Sequence, residues 1–533
     1  MTTSQAHVGA WFHHELPRLN RAVLYDGAPA TMVADELAAV LPLLPSPGVL
    51  DPVDAQRLVI DLGLAGAAVA RHHQEQDVRR KQHPETSFDG LYAGPEQLAF
   101  RAYFAALADR TGTGHYARDA YASLVIWNVP DTQVRFRGAP LATLPGVNPD
   151  GHIRSYTGDP GERWFFDLVK RGQTIELAAN ELLQPLSDGA VGLTSDEGRR
   201  RVRLATTLLE ALRRLFVEFA ATPVIASAAD LVTEPAAPDT SPAAPAATEP
   251  ATTGPAAPTA TGPAAPTATG PAAPIAEDRP QSVARGMHPQ YFMDVFRQFA
   301  VHWVAGDIPP SGALDVDALK RDFLLGTVEE HYVQHVDRIM PALLGAERAD
   351  LTRLIGRPSL PDALLRSLGL DQAGLLALTA RQHGALAAAH PALVDWYQLL
   401  AAHARAAGGH LMLSKRFLFN PQRRRDESGV GDRALVSNRR GTTGMDEHIL
   451  DRLTRMRREH VLAVLRGSAV AAARAEIIQA ADDVEVVTAT GTGAARSGAA
   501  GPVRPRTARA GAAPGRPPAP VPVTTQRKQV AGE

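Results

Sequence analysis

Apolar residues recur every three or four positions along most of the chain, a pattern typical of helices with one buried face. It is clearest over residues 30–44, 54–73, 201–221 and 371–407. Alternation with a period of two is scarce; residues 121–129, YASLVIWNV, are the best strand candidate and fit a buried helical turn equally well. The pattern predicts an all-α protein in which several long helices surround a core, and it leaves open whether there is one core or two.

Two segments depart from this pattern. Residues 231–282 consist mostly of Ala, Pro, Thr and Gly, and the octad TGPAAPTA begins at Thr253 and Thr261, with the variant TGPAAPIA at Thr269. Residues 486–533 are basic and rich in Pro and Ala. Neither segment has enough apolar surface to offset the entropy of ordering. We therefore expect a disordered linker and a disordered basic tail, with helical parts at residues 1–230 and 283–485.

Composition narrows the chemistry. The 533-residue chain has a formal net charge of −2 and no cysteine. The charge does not indicate a nucleic-acid partner or an anionic membrane. The absence of cysteine excludes disulfides, thiolate nucleophiles and thiolate-held metals, so any metal would be held by histidine or carboxylates. The start of the chain does not resemble a secretory signal and no apolar run reaches about 18 residues. We expect a soluble cytoplasmic protein without membrane contact.

Histidine is the remaining candidate metal ligand. His410 stands in GGHLMLSKRFLFN, residues 408–420, at the head of what reads as a core helix. From spacing alone a lone histidine there is usually structural. His331 and His335 lie four residues apart in GTVEEHYVQHVD and could chelate a metal on one helix face, but an ordinary solvated face explains them better.

A second feature follows His410. Gly441, Thr442 and Thr443 form a Gly-Thr-Thr-Gly turn that leads into an amphipathic pattern at residues 446–460. Such a turn offers backbone N–H groups and hydroxyls at a helix N-terminus, which suits a carboxylate or a propionate.

Together these features resemble a known superfamily. His410, then Arg416, a basic loop, GTTGM and a helix with paired arginines are similar to the C-terminal signature of the haem-dependent indoleamine and tryptophan dioxygenases. Four further blocks resemble the monodechloroaminopyrrolnitrin synthase branch of that superfamily, in the same order along the chain. They are LPRLNR (16–21), VIWN (125–128), RSYTG (154–158) and HPQYFMDVFRQF (288–299).

The resemblance implies a multi-helix haem-binding bundle of the indoleamine dioxygenase type, with His410 as the proximal ligand of the iron of haem b. Phe292 and Arg297 fall where the superfamily places a distal aromatic residue and an arginine that pairs with the substrate carboxylate. On a regular helix these two side chains would lie about 140° apart and would flank a wide pocket. From spacing alone, a core phenylalanine and a surface arginine are the alternative.

Residues 441–443 correspond to the turn that closes over the substrate, and Thr443 stands where a glycine is usual. Two further departures are Ala407, where an arginine for a haem propionate is common, and Leu418, where the branch has tyrosine.

The function implied is a haem-dependent oxidoreductase that acts on tryptophan or a substituted tryptophan-like amino acid with O₂. The branch implies oxidative ring rearrangement in secondary metabolism. Insertion of two oxygens across the indole 2,3-bond is one alternative, and a non-catalytic helical haem-binding or scaffold protein is another. The sequence has no GxSxG, P-loop or dinucleotide-binding GxGxxG motif, so those enzyme classes are unsupported. The oligomeric state does not follow from the sequence.

Overall fold

The computed structural model describes residues 8–113, 118–221, 286–427, 447–466 and 468–489, with the side chains of residues 468–473 left out. These residues are mostly helical, which confirms the predicted class in its coarse form. The expected linker and nearly all of the expected tail lie outside the described residues. Within those residues, no helix combines the length and apolar character needed to cross a bilayer.

The α-helices of the described residues are numbered in chain order. They are α1 (Leu16–Tyr25), α2 (Met32–Val40), α3 (Pro52–Gln76), α4 (Val78–Gln82), α5 (Phe100–Thr111), α6 (Pro160–Ser187), α7 (Asp196–Ala221), α8 (Pro289–Tyr291), α9 (Val316–Leu325), α10 (Glu330–Ile339), α11 (Gly345–Leu354), α12 (Leu360–Ser367), α13 (Gln372–Ala377), α14 (Ala380–Ala389), α15 (Pro391–Ser414), α16 (Asn420–Glu427), α17 (Glu447–Arg458) and α18 (Ser468–Ala480).

Helices begin where local capping chemistry allows. Asp51 accepts hydrogen bonds from the backbone N–H groups of Val53 and Asp54 at the start of α3, and a proline occupies the first helical position. Asp159 accepts one from Gly161 at the start of α6. The predictions over residues 54–73 and 201–221 are confirmed by α3 and α7. Residues 30–44 form the shorter α2 and a 3₁₀ turn.

The long periodic pattern at residues 371–407 does not form one helix. It is divided among α13, α14 and α15. His390, with φ −128° and ψ 79°, ends α14 because it precedes Pro391, whose ring disfavours a helical conformation in the residue before it. His410 therefore lies in the last turns of α15 and not at the head of a helix, which corrects that expectation.

Five short strands among the described residues modify the all-α prediction. Strands β1 (Tyr92–Ala93) and β2 (Leu98–Ala99) pair with each other, and β3 (Thr132–Phe136), β4 (Ala139–Leu144) and β5 (Val484–Thr488) form an antiparallel sheet in the order β4-β3-β5. Arg137 and Gly138, both with positive φ, make the tight turn between β3 and β4. Strand β5 continues to Thr488, so the regular structure of the described residues extends past the expected boundary at residue 485.

The strand candidate at residues 121–129 is helical. Ala122–Trp127 forms a buried π-helical turn, so the helical alternative for this segment is confirmed. Similar π-helical turns occur at Trp11–Glu15, Phe292–Phe296 and Lys415–Phe419.

Helices from both sides of the linker share one hydrophobic core. Helix α7, just before the linker, packs along α15, which follows it. Asp395 on α15 accepts hydrogen bonds from Arg199 (2.8 Å) and Arg203 (2.7 Å) on α7. The question that periodicity leaves open is thus answered: the described residues form one core.

Candidate functional site

A deep cavity lies among α6, α7, α9, α15, α17 and the segment around residue 295. The cavity has a volume of about 390 Å³, which is in the range of small-molecule binding sites. Its walls are mostly apolar, and aromatic rings dominate one side: Tyr156, Phe165, Phe166, Phe219, Phe292 and Phe296.

His410 presents its imidazole to this cavity. Its nearest aromatic neighbour is Phe216, with ring centroids 5.8 Å apart, and no side chain or backbone group among the described residues is seen to hydrogen-bond the ring. The side chain of His410 is exposed where it faces the cavity, but desolvation by the surrounding protein, helped by the Arg457 and Arg321 charges, lowers the pKa of its imidazole, which is therefore neutral at neutral pH. A neutral imidazole with an unoccupied nitrogen is the form that ligates a metal.

The described residues contain no cluster of three or more His, Cys, Asp or Glu side chains that could hold a metal ion. His331 is exposed, and the Nδ1 atom of His335 lies 2.8 Å from Arg338 Nη2. His331 fits the solvated helix face, whereas the Nε2 atom of His335 is buried and has no hydrogen-bond partner among the described residues.

Arg297 and Phe292 both line the cavity, but by a different geometry from the predicted one. They flank the π-helical turn Phe292–Phe296, where the Arg297 N–H donates to the Phe292 carbonyl five residues earlier. A turn with this hydrogen bond brings residues five apart nearer to the same side than the about 140° of a regular helix. Arg297 is 5% exposed, which excludes the surface-arginine alternative. Burial lowers its pKa to about 10, so it stays charged at neutral pH.

Three of the π-helical turns contribute to the cavity wall. Leu124 comes from the turn Ala122–Trp127, Phe292 from Phe292–Phe296, and Phe417 from Lys415–Phe419. Such turns widen a helix locally and are frequent at functional sites.

A network of charged residues forms the polar side of the cavity. Asp322 accepts hydrogen bonds from His403 Nε2 (2.9 Å) and Arg457 Nη2 (2.6 Å). Arg321 Nε donates to His403 Nδ1 at 3.1 Å, which fixes the tautomer of that imidazole. Burial alone would raise the pKa of Asp322, but the Arg457 guanidinium and the His403 hydrogen bond hold it well below its usual range. Burial lowers the pKa of His403 to about 4, so His403 is neutral.

Two further carboxyl groups extend this polar side. Arg321 Nη1 lies 2.9 Å from Glu176 Oε1. Burial, together with the neighbouring Glu176 and Asp317 carboxylates, raises the pKa of Asp315 well above its usual range. Glu176 and His410 line the same cavity, and the Glu176 carboxylate partly opposes the lowering of the His410 pKa.

The structure brings together the sequence blocks on which the resemblance rests. Asn20 Nδ2 donates to the Tyr156 carbonyl (2.7 Å), and Asn128 Nδ2 donates to the Arg154 carbonyl (2.8 Å). The Tyr291 hydroxyl lies 2.6 Å from that of Thr157. Residues 16–21, 125–128 and 288–299 thus all meet the RSYTG segment, whose Tyr156 lines the cavity.

Not every predicted residue can be placed. Gly441, Thr442 and Thr443 lie outside the described residues. Ala407 and Leu418 line the cavity, as their positions relative to His410 suggest. Arg405 does not replace the arginine missing at 407: its Nε donates to buried Glu210 at 2.6 Å, and it lines a separate cleft.

Sequence analysis missed the charged network. Arg321 and Asp322 are adjacent on α9, a helix with four charged residues in ten, so their burial has no local signal, and their partners His403 and Arg457 come from distant helices.

The fold and the cavity define a mostly helical protein with one deep aromatic pocket, a buried arginine and a neutral histidine. No protein-family model and no curated protein matches the sequence.

Proposed function

We propose that the protein is a haem-dependent oxidoreductase that acts on tryptophan or a substituted tryptophan-like amino acid. The observation that carries the proposal is the convergence of His410 and Arg297 in one aromatic cavity. The resemblance of the sequence blocks, and their contacts around residues 154–158, support the same function.

The residues present fit haem b. His410 is neutral, faces the cavity and has an unoccupied ring nitrogen. Phe216 and Phe417 offer apolar surface on the wall that carries His410. His410 would hold the haem, which when bound would supply a redox-active iron able to react with a small oxidant such as O₂.

Arg297 is the candidate partner of the substrate carboxylate. Burying an unpaired carboxylate among aromatic rings would cost several kcal/mol, whereas a guanidinium binds it through two parallel hydrogen bonds. Phe292 and Phe296 line the cavity beside Arg297, so the same turn that positions the guanidinium supplies rings to pack on an indole. The chain's part in the reaction is to orient the substrate and to keep water from the reacting ring.

Oxidative ring rearrangement in secondary metabolism is the outcome that the branch resemblance favours. Leu418 lines the cavity where that branch has tyrosine, so the contacts to the substrate ring differ from those of the branch. Dioxygen insertion would add both oxygen atoms to the product, so the masses of products formed in ¹⁸O₂ separate the two reactions.

The first test is the absorption spectrum of the haem-supplemented full chain, ferric and ferrous, beside His410→Ala and the control His331→Ala. His331 is exposed on α10 and away from the cavity. We expect a stoichiometric Soret band in the parent and the control, and its loss or strong shift in His410→Ala. No haem uptake, or the same spectrum in all three proteins, would contradict the proposal.

The second test addresses the substrate. Tryptophan analogues are titrated into the haem protein and the Soret shift is followed, with Arg297→Lys beside Arg200→Lys, an exposed arginine on α7. A lysine keeps the charge but loses the bidentate geometry, so we expect weaker binding only in Arg297→Lys. Haem binding without any turnover would instead favour the non-catalytic haem protein.

A further inference from the structure

A second cleft lies on another side of α15, between that helix, α7 and the end of α17. The cleft has a volume of about 550 Å³. Five arginines line it: Arg213, Arg405, Arg458, Arg466 and Arg474. None of the described residues that line the cleft is acidic, and none of these arginines lines the His410 cavity.

A buried carboxylate positions two of the arginines. Glu210 is 1% exposed and accepts hydrogen bonds from Arg213 Nε (3.0 Å) and Arg405 Nε (2.6 Å). Each guanidinium has five N–H donors, so these contacts hold the groups in place and leave donors for a ligand. The single negative charge of Glu210 faces the two positive charges of Arg213 and Arg405, so one positive charge remains uncompensated within this group of three.

The other three arginines have no ion-pair partner among the described residues. Arg466 Nη2 donates to the Arg458 carbonyl at 3.4 Å, which holds the two residues together. The Arg458 guanidinium lies over Gly408, where an added Cβ would come within 3.5 Å of Nη2. Arg458, Arg466 and Arg474 are exposed, so water and salt screen part of their mutual repulsion, and an anion bound between them would reduce it further.

His460 adds a neutral polar group to the same cleft. Its Nδ1 atom is buried and has no hydrogen-bond partner among the described residues, and its ring lies 5.4 Å from that of Tyr397. Burial and the nearby Arg466 lower the pKa of His460 to about 4, so the ring is uncharged and does not add to the repulsion.

We propose that this cleft is a binding site for a small molecule that carries a phosphate or pyrophosphate group. Guanidinium groups match phosphate oxygens in charge and in paired hydrogen-bond geometry. The site is a concave cleft of small-molecule size, bounded by helices, and not an extended basic stripe. It shares no lining residue with the His410 cavity, so it stands whether or not haem binds there.

The test is calorimetric titration of the full chain with inorganic pyrophosphate and with adenosine 5′-diphosphate, each against sodium sulfate at matched ionic strength. We expect both phosphates to bind and sulfate to bind far more weakly. If adenosine 5′-diphosphate bound more tightly than pyrophosphate, we would infer that its base packs against Tyr397 and His460. Equal binding of pyrophosphate and sulfate, or no binding of either phosphate, would overturn the site.

A matched pair of variants separates the cleft from general charge. Arg458→Gln with Arg466→Gln removes two exposed cations of the cleft, and Arg200→Gln with Arg353→Gln removes two exposed cations elsewhere that pair with Glu197 and Asp350. We expect about tenfold or greater weakening of pyrophosphate binding in the first pair and none in the second. Equal weakening in both pairs, or in neither, would refute the proposal.

A single substitution at an exposed position covers the case in which the cleft double variant does not fold. Arg474 is exposed, so Arg474→Gln keeps the core intact and should weaken pyrophosphate binding several-fold. Unchanged pyrophosphate affinity in that variant would count against the site.

Discussion

Glu162 is a buried carboxyl group that forms no ion pair among the described residues. It accepts hydrogen bonds from the backbone N–H of Thr157 (3.0 Å) and from the Tyr291 hydroxyl (2.8 Å). Burial raises its pKa to about 7, and these hydrogen bonds only partly oppose the shift. Because Thr157 and Tyr291 belong to two of the blocks that carry the family resemblance, Glu162 joins those blocks beneath the cavity wall.

The raised pKa predicts a pH-dependent contribution to stability. Below about pH 4.5 Glu162 is protonated in both the folded and the unfolded chain and contributes nothing. As the pH rises towards 7 only the unfolded chain ionises, so the free energy of unfolding falls by roughly 3 kcal/mol and then stays level. Glu162→Gln should remove this fall.

Urea unfolding of the parent and Glu162→Gln at pH 5 and pH 8 measures the effect as a difference between the two proteins. Other buried carboxyls titrate in the same range, and the difference cancels them. Glu197→Gln, at an exposed position of α7, is the control and should follow the parent. If the free energy of unfolding changed between pH 5 and pH 8 by the same amount in the parent and in Glu162→Gln, the prediction would be wrong.

At the scale of elements, the packing of α3 depends on a residue without a side chain. A Cβ added to Gly66 would lie 2.5 Å from two ring carbons of Trp303 and 3.1 Å from Phe100. Trp303 is fully buried, so its ring cannot move away without disturbing the core.

Gly66→Ala should therefore destabilise the protein by about 1–3 kcal/mol, the usual cost of overpacking. Gly384→Ala is the matched control, since Gly384 is also helical but has open space around it. There the gain in helix propensity should stabilise by up to about 1 kcal/mol. Thermal or urea unfolding gives both values, and the same sign for the two variants would contradict this account.

Strand β5 gives a second prediction at this scale. It pairs with β3, and Thr488 Oγ1 donates to Asp167 on α6 at 2.7 Å. A chain ending at Asp483 loses these bonds, each worth roughly 0.5–1.5 kcal/mol, and exposes an edge of β3. We expect a lower urea midpoint and more aggregation than in a chain ending at Ala489. Equal midpoints for the two truncations would show that β5 adds no stability.

What the sequence could predict at this scale follows from how local each signal is. The repeat within α3 or α7 is read from neighbouring residues, so both were predictable. The break at Pro391 was also visible in the sequence, since proline disfavours a helical residue before it. The β3–β5 pairing joins segments far apart in the chain, and no local pattern indicates it.

The site divides in the same way. The expectation that His410 and Arg297 share a pocket came from matched blocks, and the structure places both in one cavity. The predicted position of Arg297 relative to Phe292 was wrong. The prediction assumed a regular helix, whereas the segment forms a π-helical turn, which shifts the hydrogen-bond register by one residue. The Asp322 network was missed because its members come from three separate helices.

At the scale of the whole molecule, the single core means that residues on both sides of the linker fold together. The linker expected from the sequence between residues 221 and 286 is therefore predicted to affect stability mainly through the entropy of closing a loop. That entropy changes only slowly with loop length.

Deletion of residues 236–276 should therefore change the free energy of unfolding by about 1 kcal/mol or less and leave one cooperative transition. The proposed haem uptake should also be unchanged. Urea unfolding followed by two probes measures the first, and Soret titration the second. Two separate transitions, or loss of soluble protein, would show that the segment contributes to the fold.

The His410 cavity takes Phe165 and Phe219 from the chain before the linker and Phe292, Arg297 and His410 from the chain after it. Neither portion can form the pocket alone. Any molecule that fills the pocket contacts both portions of the chain. Its binding free energy therefore stabilises the association of the two portions. If a protease cut the chain between residues 231 and 282, the occupied protein would remain a complex of two fragments, held together in part by its own ligand. Release of that ligand would then favour their separation.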